Sequence, residues 1–278
     1  MKNRTMLLFL SILNIVAFIA TFTVNALANI LPINGVGTGE VSDSLPNLFT
    51  PAGITFAIWG LIYLLLAVFV ITLFVGVLRK TDIAEAVQRV GVFFIVASLA
   101  NIVWIFAWHH YQIAYSLLLL LVLLASLLAI YLRLGVGKRS VSLSEKLAVH
   151  LPVSVYLGWV SVAVIANVTA FLVHIGLANL WPGAVFWTAV VIAVGGVLGI
   201  VALLLRGDIF YSLVILWAYA GIIIKRLGVM GRGSKEVIIA ASAAGTVLLV
   251  GIILVIAMRR IYIGAEKNPE LEPGDTQG

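Results

Sequence analysis

Three sets of side chains stand at helical spacing within otherwise apolar stretches. Phe56, Trp59 and Tyr63 fall at i, i+3 and i+7, and Asn101, Trp104 and Trp108 repeat that interval. Tyr156, Trp159, Ala163 and Asn167 fall at i, i+3, i+7 and i+11. On an α-helix each set projects from one narrow stripe. Rings so arranged stack on a flat apolar molecule, and an amide or phenol fixes its polar edge. The same residue types have plainer uses, since Trp and Tyr anchor helices at membrane interfaces and an intramembrane Asn holds helices together. Trp108, Tyr111, Trp181 and Trp187 sit near the ends of apolar runs and read as such interface residues.

Other chemistries are narrowed by what is missing. The chain has no cysteine, which removes a thiolate nucleophile, a disulfide framework and any cysteine-type zinc or iron-sulfur site. No Asp, Glu, Lys or Arg falls in the middle of an apolar run, so the buried charge used by ion-coupled pumps and proton relays is lacking. His109 and His110 close one run and His174 another, which offers a rival site for haem iron or a metal. Histidines in such positions are usually solvated, and the expectation is no metal site and no required cofactor. His150, at the opposite face, reads as an exposed loop residue.

The elements that carry these residues are membrane spans. Of 278 residues 63% are hydrophobic and 10% charged, with a mean hydropathy of +1.20. A soluble domain carries roughly 25% charged residues. One crossing takes about 20 apolar residues. By that criterion the chain reads as eight spans, at about 6–30, 52–78, 90–109, 112–132, 148–173, 184–205, 209–226 and 237–258. The fold class is an all-α integral membrane protein, a polytopic bundle. Asn179-Leu180-Trp181-Pro182-Gly183 is a turn cluster dividing two spans, and His109-His110-Tyr111-Gln112 marks a tight hairpin between two others. Lys2 and Arg4 before an apolar run that ends in Ala26-Leu27-Ala28 resemble a signal peptide, but the run is long enough to span and is read as a retained first helix.

Orientation follows from the basic residues. Lys2 and Arg4, then Arg79, Lys80 and Arg89, then Arg133, Lys138, Arg139 and Lys146 fall on alternate connections, while the 31–50 loop carries only Glu40 and Asp43. The positive-inside rule then places the N-terminus in the cytoplasm. Strict alternation puts Lys225, Arg226, Arg232 and Lys235 outside, so either that loop is an exception or the seventh segment does not cross. The net charge of +6 comes in clusters between spans and is a topology signal, with no nucleic-acid partner implied.

Taken in order, Pro51-x7-Trp59-x3-Tyr63, Asn101-x2-Trp104 and Tyr156-x2-Trp159-x7-Asn167 resemble the signatures of the second, third and fifth helices of the TspO/translocator (tryptophan-rich sensory) protein family. The resemblance covers about residues 6–178. It implies a five-helix core over 1–178; outside that core, run length reads 179–263 as additional transmembrane helices and the Pro-, Gly- and acid-bearing composition of 264–278 as a disordered polar tail. It also implies a pocket for a porphyrin such as protoporphyrin IX, a haem-related tetrapyrrole or a sterol. Trp59, Tyr63, Asn101, Trp104, Tyr156, Trp159 and Asn167 would line that pocket under the 31–50 loop. The chain departs from the family in Phe49-Thr50-Pro51-Ala52-Gly53, where relatives often carry an aromatic after the Pro. The sterol pattern of animal members is missing after the fifth helix. The loose matches Leu128-Tyr131-Arg133 and Leu216-Tyr219-Lys225 are of a kind expected by chance.

The expected function is a membrane receptor or sensor for a planar apolar ligand, in the plasma membrane of a prokaryote and with homodimers as in relatives. A small-molecule permease or membrane subunit of an exporter is the rival, disfavoured by the lack of buried charge and of a visible repeat. Light-dependent porphyrin breakdown, an activity associated with some relatives, is a third reading.

Overall fold

Lipid offers the backbone no hydrogen bonds, so a chain this apolar satisfies its peptide groups within helices. The computed structural model describes residues 4–45, 47–177, 183–229, 231 and 234–266, with side chains to Met258. Every long element among them is an α-helix: α1 (Arg4–Ile30), α3 (Ile58–Arg79), α5 (Phe93–His109), α6 (Ile113–Leu134), α8 (Leu151–His174), α9 (Ala184–Arg206), α10 (Ile209–Gly228) and α11 (Ser234–Glu266). Short helices α2 (Thr38–Ser44), α4 (Ala84–Val90) and α7 (Leu143–Glu145) lie at span ends, and α7 runs through a π-helical turn into α8.

Among the described residues seven segments are long and apolar enough to cross a bilayer, and the eighth crossing of the sequence reading corresponds to α5, which passes the same test only together with α4. It has 17 residues and meets α4 at a bend of 54°. The break falls at Gly91, whose φ of +55° no side chain favours. The third span therefore starts three residues later than its apolar run. The hairpin at His110–Gln112 forms as expected, with Tyr111 at φ +56°. Asn179 to Pro182, Trp181 among them, Arg232 and the tail beyond Glu266 lie outside the described residues.

Five helices close a ring in which α1 packs on α3, α3 on α8, α8 on α6, α6 on α5 and α5 back on α1. The last three crossings form a triangle beside it, joined to the ring through α10 against α8. Close approach there depends on Gly158, where a Cβ would come 3.1 Å from the Tyr211 carbonyl oxygen. At its start α10 is capped by Asp208, which accepts from Tyr211 N (3.1 Å) and from the Tyr131 hydroxyl of α6 (3.0 Å). At its other end Lys225 donates to Asp43 (2.7 Å). The seventh segment is long and apolar enough to cross, and the Lys225–Asp43 contact puts its basic end on the side of the 31–50 segment, as strict alternation requires, so that loop is the exception to the positive-inside rule.

The charged residues buried in the described part, Glu145, Asp208 and Arg226, stand at helix ends, as the charge-free middles of the spans require. One expectation fails at the basic end. His150 is buried instead of exposed, because the π-helical turn rotates it inward, with Nε2 4.0 Å from Glu145 Oε1.

Candidate ligand pocket

The aromatic stripes converge on Trp59. Its indole stacks on Tyr63 (centroids 5.7 Å, 19°), leans on Trp104 (6.3 Å) and is met edge-on by Tyr156 (6.1 Å) and Trp159 (6.3 Å). Phe56 adds an edge contact to Trp159 at 6.0 Å. Four rings from α3, α5 and α8 therefore surround one indole, each such pair adding about 0.5–1.5 kcal/mol beyond area burial.

A cavity of about 300 Å³ opens beside this cluster. Its floor is Trp59, Tyr63, Trp104 and Ile105; Asn25 and Asn29 of α1 form one wall, Phe56 and Gly53 another, and residues 37–40 the roof. Tyr156, Trp159 and Asn101 stand behind that lining. Asn101 accepts from Asn25 Nδ2 (2.7 Å) and donates to the Tyr156 hydroxyl (3.2 Å), so it fixes α1, α5 and α8 around the cavity. Asn167 does not line this cavity. It exchanges hydrogen bonds with Ser116 of α6 (3.1 and 3.2 Å), which is the helix-joining use of an intramembrane amide.

The cavity has an electrostatic gap. Tyr63 Oη and Trp104 Nε1 are buried without a hydrogen-bond partner among the described residues, and so is Trp159 Nε1 behind them. An orphaned buried donor costs about 1–3 kcal/mol. Two such donors belong to residues that line one hollow.

The covering segment is tied down by residues assigned above to other roles. Trp108 is no interface anchor: it is buried, stacks on Trp104 at 6.1 Å and donates Nε1–H to the Thr38 carbonyl (3.1 Å). His109 is not solvated but fully buried, with Nδ1 3.2 Å from the Ile33 carbonyl and Nε2 3.0 Å from Thr38 Oγ1. Asn34 in turn donates to the His109 carbonyl (3.0 Å). Tyr111 and Trp187 remain exposed, as interface residues would. The three loop-end histidines do not converge, because His110 faces outward onto the Phe106 carbonyl and His174 is exposed. Among the described residues no group of His, Asp and Glu is placed to hold a metal.

Asn25 and Asn29 escaped the sequence reading. The signal was present, since Ser11, Asn14, Thr21, Asn25 and Ala28 are the buried residues of α1 and recur at intervals of three, four and seven. Reading the run only for its length concealed that polar stripe.

The family model for "TSPO-like protein" matches residues 11–255. That match runs past residue 178 and through most of the last three helices. Comparison with curated proteins and with solved structures finds no match.

Proposed function

The chain belongs to the TSPO-like protein family, and from that premise we propose that it is a membrane receptor or sensor for a planar, largely apolar ligand that carries hydrogen-bond acceptors. A tetrapyrrole such as protoporphyrin IX or haem has this profile. The observation that carries the reading is the pairing of a Trp59-centred ring cluster with the orphaned donors Tyr63 Oη and Trp104 Nε1 in one cavity. An apolar ring system stacks against the indoles, and a carboxylate or carbonyl at its edge relieves the unpaired donors. At about 300 Å³ the cavity is at the lower end of ligand pockets, which span roughly 300–1,000 Å³. A full macrocycle therefore enters as the covering segment lifts. In this reading the cover faces the outside of a prokaryotic plasma membrane, and the N-terminus is cytoplasmic.

The test is quenching of tryptophan fluorescence by protoporphyrin IX in the purified protein and in a Gly39→Leu variant. Gly39 lines the cavity, and a Cβ there meets nothing within 4 Å, so leucine adds bulk to the roof with no clash at its first side-chain atom. Saturable binding that weakens by about tenfold or more (about 1.4 kcal/mol) in the variant is expected. Equal affinity in both proteins would remove the pocket from the account.

A further inference from the structure

The segment over the cavity is held on two sides, and only one of them belongs to the five-helix ring. On the ring side it is anchored by Trp108 and His109, both buried. On the far side it meets α10 at three levels. Lys225 Nζ donates to Asp43 Oδ1 of α2 (2.7 Å), Ala52 N donates to the Gly221 carbonyl (2.9 Å), and Trp217 Nε1 donates to the Thr55 carbonyl (2.9 Å). Gly221 is a close-approach residue, since a Cβ there would collide with the Thr55 hydroxyl. Thr55 lies in the 3-10 turn Gly53–Ala57, whose Gly53 and Phe56 line the cavity and which leads directly into α3 and Trp59.

We infer that α10 is a positioning element of the pocket: Trp217 and Gly221 seat the turn that sets Phe56 and Trp59, and the Lys225–Asp43 ion pair is the latch whose release admits ligand beneath the cover. This rests on the cavity being the ligand site proposed above. The asymmetry of the two attachments selects the latch. The ring-side anchors are buried, whereas the Asp43 carboxylate is 54% exposed and Lys225 23% exposed. An exposed ion pair is weak and is screened by salt. The cover therefore parts first along its α10 edge, and it parts faster as ionic strength rises.

The chain has no cysteine, so Ile105→Cys supplies a single reporter on the cavity floor, where Ile105 is buried beneath the cover. Its rate of modification by a water-soluble maleimide reads cover opening with no ligand present. In this background Lys225→Ala should accelerate modification by about three- to fivefold, the factor of one exposed ion pair. Trp217→Phe should act in the same direction. Lys225→Asp combined with Asp43→Lys should return the rate to that of the parent, which a merely structural role for Lys225 would not do. Raising NaCl from about 10 mM to about 1 M, which shortens the screening length from about 30 Å to about 3 Å, should speed the parent and have a smaller effect on Lys225→Ala, in which Arg226 still acts on Asp43. Equal rates in the parent, Lys225→Ala and Trp217→Phe overturn the inference, as does a charge swap that restores nothing. A protoporphyrin IX dissociation rate that rises in the same variants supports the link to the pocket. Should the parent bind no porphyrin, the receptor reading falls while the maleimide rates still decide the role of α10.

Discussion

At its covered end α3 borders a hollow with Trp59 and Tyr63, and the Tyr63 hydroxyl lacks a partner among the described residues. From Phe69 to Val77 the inward face of the same helix is densely packed, with Ile71 turned outward. Phe69 and Leu73 are fully buried, and the Phe69 ring lies 5.5 Å from that of Phe94 on α5. The two halves share helices and lipid but not purpose. In a bilayer, helices associate through van der Waals contact and hydrogen bonds with little hydrophobic drive, so the dense half supplies cohesion. The hollow half forfeits contacts and keeps donors unsatisfied among the described residues, an arrangement that costs stability and that the proposed ligand would complete.

The contrast is broken most forcefully by Phe69→Ala. Truncating a fully buried ring in the dense half should cost about 3–5 kcal/mol, read by reversible unfolding in mixed micelles, with the Kd for protoporphyrin IX nearly unchanged in the folded fraction. Equal losses of stability and affinity would mean that the halves are not separate. Trp59→Phe reverses the pattern. It keeps an aromatic ring at the centre of the cluster but removes stacking area, so affinity should fall about tenfold while stability changes by less than about 1 kcal/mol.

Trp104→Phe sharpens the point about orphaned donors. Losing a buried N–H that has no protein partner should leave stability level or raise it, while affinity falls by about fivefold (about 1 kcal/mol) as one ligand hydrogen bond disappears. Isothermal titration beside a melting curve measures both. The smallest effect belongs to Asn167→Ala. Losing its bonds to Ser116 should cost about 0.6 kcal/mol of stability, the mean for polar pairs between membrane helices, and leave ligand affinity alone.

Much of this was legible before any coordinates. Apolar run length located every long helix among the described residues, because the bilayer imposes one length on spans. Spacing at i, i+3 and i+7 brought Trp59, Tyr63 and Trp104 to a common cavity, because a helix presents such residues on one face. What escaped was whatever depends on contacts far apart in sequence. Asn167 shares a stripe with Tyr156 and Trp159, yet eight residues beyond Trp159 it is about 12 Å farther along the axis and meets α6 instead. Trp108 and His109 resembled interface residues because only the folded 31–50 segment reveals what they hold. The basic cluster at Lys225 looked like a fault in topology for a similar reason. Its partner Asp43 stands 182 positions away.

The claim that one cavity beneath the cover is the ligand site is tested most directly by a structure of the protein with protoporphyrin IX bound. The ring system should lie against Trp59 and Tyr63 with an acceptor atom within hydrogen-bond reach of Trp104 Nε1, and the cover displaced along its α10 edge. A porphyrin found only in the outer groove of about 470 Å³ between Phe106, His110 and Tyr115, with the cavity under residues 37–40 unchanged, would contradict it.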